Sequence, residues 1–517
     1  MLASARQSLR LLTILRTLAR YDALQPLEGM LPPRLVRLLT QAFGTGRAPY
    51  APGARLGERL AAALHALGPS FIKLGQALSV RPDLVGDALA GDLGRLRDRL
   101  PPFSAAEARA AITAELGKPV AELFEHFEDR PVAAASIAQV HFARLPDGSE
   151  VAVKVLRPGI EAAFRRDIAQ LRWLARLAER LRPALRRLRP VRVVDTIAAS
   201  VELEMDLRLE AAAASELAEN MAAVAGFRVP KVEWSRTARR VLTSARVHGV
   251  AIDDRAGLLD AGHDLKRLAE QVIRVFLIQA LQHGFFHADM HHGNLFVAAD
   301  GTLAAVDFGI MGRIDRPTRL FMAEMLHAFL VGDWRRAAEV HFAAGYVPAT
   351  QSVDAFAQAC RAIGEPILGR PVTEISVGRL LAQLFQVTET FAMQTQPQLL
   401  LLQKTMVTVE GVARTLDPEI NFWDAARPLI VEWMRDNMGP EARMRDAAVD
   451  AGRILRRLPT LADSLERAAD LLAADGLRFD PASARLLAAE QARRRRGLTA
   501  AVWFAAGLLL LLLLRHF

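Results

Sequence analysis

Apolar residues recur along this chain with two periods, and the switch between them marks its organisation. Up to about residue 125 the spacing is helical. Residues 53–67 are rich in Ala and Leu with Arg and Glu between them, and Leu67-Gly68-Pro69 interrupts the run. Ser70-Phe71-Ile72-Lys73-Leu74-Gly75-Gln76-Ala77 resumes it, with Ser70 as the expected N-cap. Arg81-Pro82-Asp83 turns the chain, Leu100-Pro101-Pro102 ends the next helix, and 104–115 and 119–127 read as short helices. After Pro131 the period becomes two. Residues 139–145 alternate, Pro146-Asp147-Gly148-Ser149 signals a turn, and 150–156 follow as a second strand, so a β-hairpin is predicted. Helices are expected over 160–181 and 193–223, with further strands at 229–232 and 240–247. An amphipathic helix over 264–282 leads into a polar loop. Strands at 295–297 and 303–306 flank Asp300-Gly301, and from 316 to 488 helix follows helix, broken at Gly332-Asp333 and Gly345-Tyr346-Val347-Pro348.

Bulk properties narrow the class. A chain of 517 residues exceeds one ordinary core, and 51% apolar with 24% charged residues describes a folded protein. The net charge of +9 is uneven, with arginine concentrated over 165–192 and at Arg493-Arg494-Arg495-Arg496. Such clusters suit phosphate-rich partners or an anionic membrane surface. No nucleic-acid motif accompanies them, so nucleic acid is not an expected partner. The one cysteine, Cys360, excludes an intrachain disulfide and a thiolate metal cage, and reads as a small buried apolar residue. The first 24 residues fit an amphipathic helix better than a signal peptide. Residues 497–514 carry no charge and end in seven leucines, Leu508 to Leu514. Eighteen helical residues rise about 27 Å, close to the hydrocarbon thickness of ~30 Å. With four arginines before it, this tail is predicted to cross a membrane once and leave the bulk of the chain cytoplasmic.

The chemistry concentrates in His287-Ala288-Asp289-Met290-His291-His292-Gly293-Asn294, followed by Val306-Asp307-Phe308-Gly309. Asn294 lies five residues after Asp289 and Asp307 eighteen after it. That is the spacing of a kinase catalytic loop and its magnesium-binding Asp-Phe-Gly. One carboxylate then faces a hydroxyl or water, while an amide oxygen and a second carboxylate hold Mg²⁺ against phosphates. Lys154, in Val151-Ala152-Val153-Lys154, supplies a cation on an otherwise apolar strand. A metal site built from His287, Asp289, His291 and His292 would leave Asp307 and Lys154 unexplained. Two kinase features are missing. Val132-Ala133-Ala134-Ala135-Ser136-Ile137-Ala138-Gln139 stands where a Gly-x-Gly-x-x-Gly loop belongs, and no Ala-Pro-Glu follows Asp-Phe-Gly. Alanine's methyl restricts how closely the backbone can approach phosphate.

Lys73-Leu74-Gly75-Gln76, Ala133 to Ser136, Val151 to Lys154, Glu204-Met205-Asp206, and His287 to Asn294 with Asp307 form an ordered set. Together they resemble the UbiB family, the atypical kinase-like proteins of ubiquinone biosynthesis. The resemblance implies an α+β class: a two-lobed protein-kinase-like fold. Its parts would be an N-terminal helical extension over 1–125, an N-lobe over 126–250, a C-lobe over 251–430, a helical C-terminal region over 431–496 and a transmembrane helix over 497–514. It further implies ATP and Mg²⁺ as cofactors. Ala133, Ala134, Ala135, Ser136, Lys154 and Glu210 would bind ATP, Lys154 pairing with Glu210. Asp289 would be catalytic, and Asn294 and Asp307 would ligate the metal. Lys73 and Gln76, with Glu204 and Asp206, would gate the site against protein substrates, Lys73 pairing with Glu204. The implied activity is an ATPase supporting ubiquinone synthesis at the inner membrane. Anionic or quinone-like lipids and ubiquinone biosynthetic enzymes are the implied partners. A kinase acting on a small molecule or a biosynthetic partner, or a nucleotide-binding scaffold, are the alternatives. Met290 and His292 stand where the family's loop usually has prolines, and 242–247 lacks the acidic residue often found there.

Overall fold

Among the described residues, five helices come first, Leu2–Arg20, Pro33–Phe43, Leu56–Leu67, Pro69–Ser79 and Asp87–Leu93. They bury their apolar stripes in a core of their own, centred on Leu64, Phe71, Ile72 and Leu93. The computed structural model describes residues 2–25, 33–43, 50, 53–79, 85–94, 100–181, 189–366, 387, 390–393 and 397–439. Residues 1–434 form one compact unit and 435–517 a second. The predicted span at 497–514 and its arginine cluster lie outside the described residues; among those described, no helix is long and apolar enough to cross a membrane. Ser70 is not an N-cap. Pro69 takes the first helical position, where its missing N–H costs nothing, and the Gly68 carbonyl accepts from Phe71 and Ile72.

Ser104 and Glu107 form a capping box that opens the helix Ala105–Leu116. The expected helix over 119–127 shortens to Val120–Leu123, because His126–Phe127 instead becomes strand β1. Ala133–Ala134 is β2, Ala138–Arg144 is β3 and Glu150–Leu156 is β4. β3 and β4 make the predicted hairpin, in register Arg144 to Glu150 at its tip. Helices Ile160–Leu181, Pro190–Glu204 and Leu207–Met221 follow. The continuous helix expected over 193–223 is therefore broken. Asp206 leaves the helical conformation and its carboxylate caps the next helix through the Arg208 N–H.

Phe227–Arg228 forms β5, Val241–Ala245 is β6 and Val250–Ala251 is β7. The strand expected at 229–232 is absent; Pro230 lacks a donor, and only Val232 bridges to Ser244. β1, β3, β4 and β6 lie side by side with β2 on β3, a five-stranded antiparallel sheet. Its Val151, Val153, Val155 and Val241 pack on Ile112, Phe124 and Phe127.

Helices Arg255–Asp260 and Leu265–Leu277 come next, the second running on as a π-helical turn over Ile278–His283. Four short strands then frame the polar loop: β8 (Phe285–His287), β9 (Leu295–Val297), β10 (Leu303–Ala305) and β11 (Met311–Arg313). β8 pairs with β11, while β5, β10, β9 and β7 form a second sheet in which only β5 and β10 run parallel. Helices Arg316–Val331, Trp334–Ala343, Val353–Gly364, Pro397–Leu416 and Phe422–Met438 complete the described chain. Gly332 and Gly345, both at positive φ, make the two predicted breaks. Cys360 is buried, and burial pushes its thiol up to about 12, as befits an apolar filler. The principal core runs from Ile273 and Phe276 through Phe286 and Met290 to Val409 and Val412, so the helix Pro397–Leu416 lies against the loop's underside.

Candidate functional site

Strand alternation decides where Lys154 goes. Val151, Val153 and Val155 fill the outer core, so Ala152 and Lys154 occupy the opposite face of β4. There Lys154 Nζ donates to Glu210 Oε1 at 2.8 Å and Oε2 at 2.9 Å. It also donates to Asp307 Oδ1 at 2.9 Å. The capped start at Asp206 makes this possible, because it puts Glu210 in the first turn of its helix, facing inward. Lys154 and Glu210 are 16% and 8% exposed, whereas half of Asp307 meets solvent.

Two carboxylates thus share one ammonium, and the charges adjust. Burial alone would lower the Lys154 ammonium, but Asp307 and Glu210 together hold it above its usual range. The Lys154 charge keeps Asp307 well below the usual carboxylate range despite its desolvation. Glu210 goes the other way. Burial pushes it up to about 7, Lys154 opposing the rise and Asp307 adding to it. Between 4.5, its ordinary value, and about 7, the folded chain holds a proton that the unfolded chain releases. This group's contribution to stability therefore falls as pH rises through that window and is level above it. Glu210→Gln is expected to remove that slope; urea midpoints of both proteins from about pH 5 to about 8 measure it. Identical slopes would show that Glu210 does not titrate there.

Asp307 occupies the left-handed region at φ 63°, a conformation costing a non-glycine residue on the order of 1 kcal/mol. A Cβ at Gly309 would sit 3.3 Å from Asp307 Oδ1 and 4.0 Å from Glu210 Oε2, so glycine there keeps space beside both carboxylates.

His287 braces the polar loop. Its N–H donates to Gln279 Oε1 on the π-helical turn at 2.9 Å. Its Nδ1 accepts from the Asp289 N–H at 3.1 Å, and Nε2 donates to the Val306 carbonyl at 3.1 Å. The ring is fully buried and burial lowers its pKa, so it stays neutral and links the residue before Asp307 to the Asp289 backbone. Asn294 Nδ2 donates to the Asp289 carbonyl at 3.1 Å. The His291 Nδ1 is taken by the Gly293 N–H, and its Nε2 lies 3.6 Å from Asp289 Oδ2. With these nitrogens engaged within the loop, the histidines do not assemble a metal cage, and no group of three such ligands gathers among the described residues.

Lys73 Nζ lies 2.7 Å from Glu204 Oε2, and the Lys73 charge also reaches Asp307. Gln76 is half-buried on the same helix, its carbonyl accepting from Ser79 Oγ at 2.7 Å. Asp206, by contrast, is bound to Arg208, Oδ1 to Nε at 2.9 Å and Oδ2 to Nη2 at 2.6 Å. Ala133 and Ala134 pair with Val140 and Gln139, and Ala135 N–H donates to the Ala138 carbonyl, closing a tight turn around the buried Ser136.

Several residues that shape this region carry no motif. Arg157, just after β4, donates to the Ala135 carbonyl through Nε and Nη2 at 3.2 and 3.0 Å, and to the Pro101 carbonyl at 2.8 Å. Gln139 binds both backbone groups of Phe103. These two side chains tie the alanine-rich turn to the segment before it. Arg157→Ala should destabilise the fold by about 1–2 kcal/mol, read from the denaturant midpoint; an unchanged midpoint would deny Arg157 that role. Thr405 and Thr415 also reach the polar loop, from a helix more than 100 residues away. Only their presence on the helical pattern was readable in sequence. A cavity of about 220 Å³ beside Glu107, Arg157 and Glu161 includes none of Lys154, Asp289, Asn294 or Asp307.

Residues 95–341 match the ABC1 atypical kinase-like domain, and residues 360–421 match the UbiB helical domain. A probable protein kinase UbiB of Marinobacter nauticus is 43% identical over 393 residues, covering 75% of this chain and 72% of that protein. A protein of the same name from Pseudomonas entomophila is 42% identical over 462 residues, covering 88% of this chain and 85% of that one. A solved structure, the complex of Rv3197 with erythromycin from Mycobacterium tuberculosis, is 25% identical with a TM-score of 0.48, covering 66% of this chain and 87% of that chain. The fold is kinase-like, mixed in helix and sheet and mostly helical.

Proposed function

We propose that this chain, which belongs to the UbiB family of atypical kinase-like proteins, binds ATP with Mg²⁺ around Lys154 and Asp307 and uses it to support ubiquinone biosynthesis. One observation carries the reading. Lys154 bonds within 2.9 Å to Glu210 and Asp307, groups 56 and 153 residues distant in sequence.

The residues fit such a ligand. Asp307 is half-exposed beside the space that Gly309 keeps, and Asn294 uses its amide nitrogen internally, leaving an oxygen to donate. One carboxylate and one amide oxygen suit Mg²⁺, which takes its remaining ligands from phosphate and water. When bound, the metal would neutralise phosphate charge. Lys154, oriented by Glu210, would hold phosphate oxygens. Asp289 would position a water or hydroxyl, its backbone fixed by His287 and Asn294. The Lys73–Glu204 ion pair would stand across the entry of a protein substrate, which favours ATP hydrolysis or a small acceptor over kinase activity on proteins.

The uncharged tail at 497–514, behind Arg493 to Arg496, would anchor the chain in the inner membrane with its bulk cytoplasmic, near anionic or quinone-like lipids and the enzymes that modify them. Quinone profiling of a deletion strain tests the whole reading. The wild-type chain should restore ubiquinone, and Asp307→Asn should not. Restoration by Asp307→Asn would sink the claim that metal-dependent phosphoryl chemistry sustains quinone levels.

A further inference from the structure

Asp289 and Asn294 act only if the loop between them keeps its shape, and one helix touches that loop twice. Thr405 Oγ1, fully buried on the helix Pro397–Leu416, lies 3.1 Å from the Ala288 carbonyl and 2.8 Å from that of Leu401. Ten residues on, the Thr415 hydroxyl donates to the Gly411 carbonyl at 3.0 Å. Its lone pair is thereby turned to His292 Nε2, which lies 3.0 Å away and donates. Arg255 holds the same helix end, donating to the carbonyls of Thr415 at 2.7 Å and of Leu416. His292 opens the single 3₁₀ turn that ends at Asn294, and within that turn Asn294 N–H donates to the His291 carbonyl at 2.9 Å. A pull on the His292 ring therefore moves the turn that carries Asn294.

We infer that His292 and Thr415 are positioning residues: their hydrogen bond holds the turn carrying Asn294 against the helix Pro397–Leu416. The inference rests on the proposed roles of Asp289 and Asn294. Neither His292 nor Thr415 touches substrate; each acts through the loop. The backbone supplies an internal control. His291 sits at φ −86°, ψ 168°, the extended region that a following proline requires, and position 292 is the first of its turn, where proline is pre-organised. Proline at 292 should therefore restore by backbone stiffness what the imidazole supplies by tethering.

Two readouts on the full chain decide the matter, amide hydrogen exchange over 287–294 without nucleotide and steady-state ATP hydrolysis with Mg²⁺. Thr415→Val should speed exchange there about tenfold and lower kcat about tenfold, the worth of one hydrogen bond. KM for ATP should stay within about twofold, because positioning acts on the reacting geometry more than on nucleotide binding. Thr415→Ser, which keeps the hydroxyl, should resemble the wild type. His292→Ala should behave as Thr415→Val does, and His292→Pro should recover most of the loss. Wild-type exchange over 287–294 in Thr415→Val, or no recovery by His292→Pro over His292→Ala, would overturn the inference. Absence of Mg-dependent turnover in the wild type would instead overturn the proposed function, and exchange would still judge the tether.

Discussion

Asp307→Asn should lower Mg²⁺-dependent ATP turnover by at least about a hundredfold, the usual loss when a charge aimed at the transferring group is removed, while leaving the chain folded. The substitution is unusually clean here. Asparagine tolerates the left-handed φ of 63° at least as well as aspartate, so the backbone need not shift. Half the side chain is solvated, so the neutral amide leaves no buried polar group stranded. What disappears is the charge that would bind the metal and that now bonds Lys154. A second signature follows from the shared ammonium. Asp307 helps to raise Glu210, so its neutralisation should lower Glu210 below about 7 and shift the pH window of stability downward. Steady-state hydrolysis against Mg²⁺ concentration measures the first effect and urea midpoints across pH the second. Wild-type turnover with unchanged Mg²⁺ dependence would remove Asp307 from the metal site.

Lys154→Met should both abolish turnover and destabilise the chain by about 3 kcal/mol at pH 8, because it leaves the buried Glu210 carboxylate facing Asp307 with no cation between them. The charged partner is lost at a site only 8% exposed, where water cannot replace it. The cost should shrink near pH 6, where Glu210 already holds a proton in the wild-type chain and gains less from the Lys154 cation. Lys154→Met combined with Glu210→Gln should recover part of the stability and none of the activity, which separates the structural share of the cluster from its chemical share. Denaturant midpoints at the two pH values decide this. A midpoint equal to the wild type at pH 8 would mean that Glu210 is neutral already or that solvent reaches it.

Much of the local structure was legible beforehand, and the reasons differ by element. The β3–β4 hairpin was readable because alternation and the turn residues agree over a short span. The helix break at Met205 was not. Residues 193–223 keep a helical pattern throughout, and the break comes from Asp206 capping the next helix through its side chain. That single turn sets both Glu204 toward Lys73 and Glu210 toward Lys154. The flanking valines suggest a strand at 229–232, but Pro230 has no N–H to give to a ladder, and none forms. Asp206 belongs to a motif with Glu204, yet its carboxylate turns to Arg208, since a capping position fixes where it points.

The amino-acid sequence by itself determined which residues are chemically able to act: an ammonium on an apolar strand, and two acids with an amide at kinase-like offsets. Residue type and spacing suffice for that, because they are properties of the covalent chain. Only the tertiary structure decided how those groups are charged and held. Glu210 titrates near 7 and Asp307 far below it because burial, and the sharing of one lysine by both, exist only once distant segments meet. Likewise Arg157, Gln139, Thr405 and Thr415 gained their partners from packing, and no periodicity in a chain can specify which group a side chain will reach across separations of 36 to 123 residues.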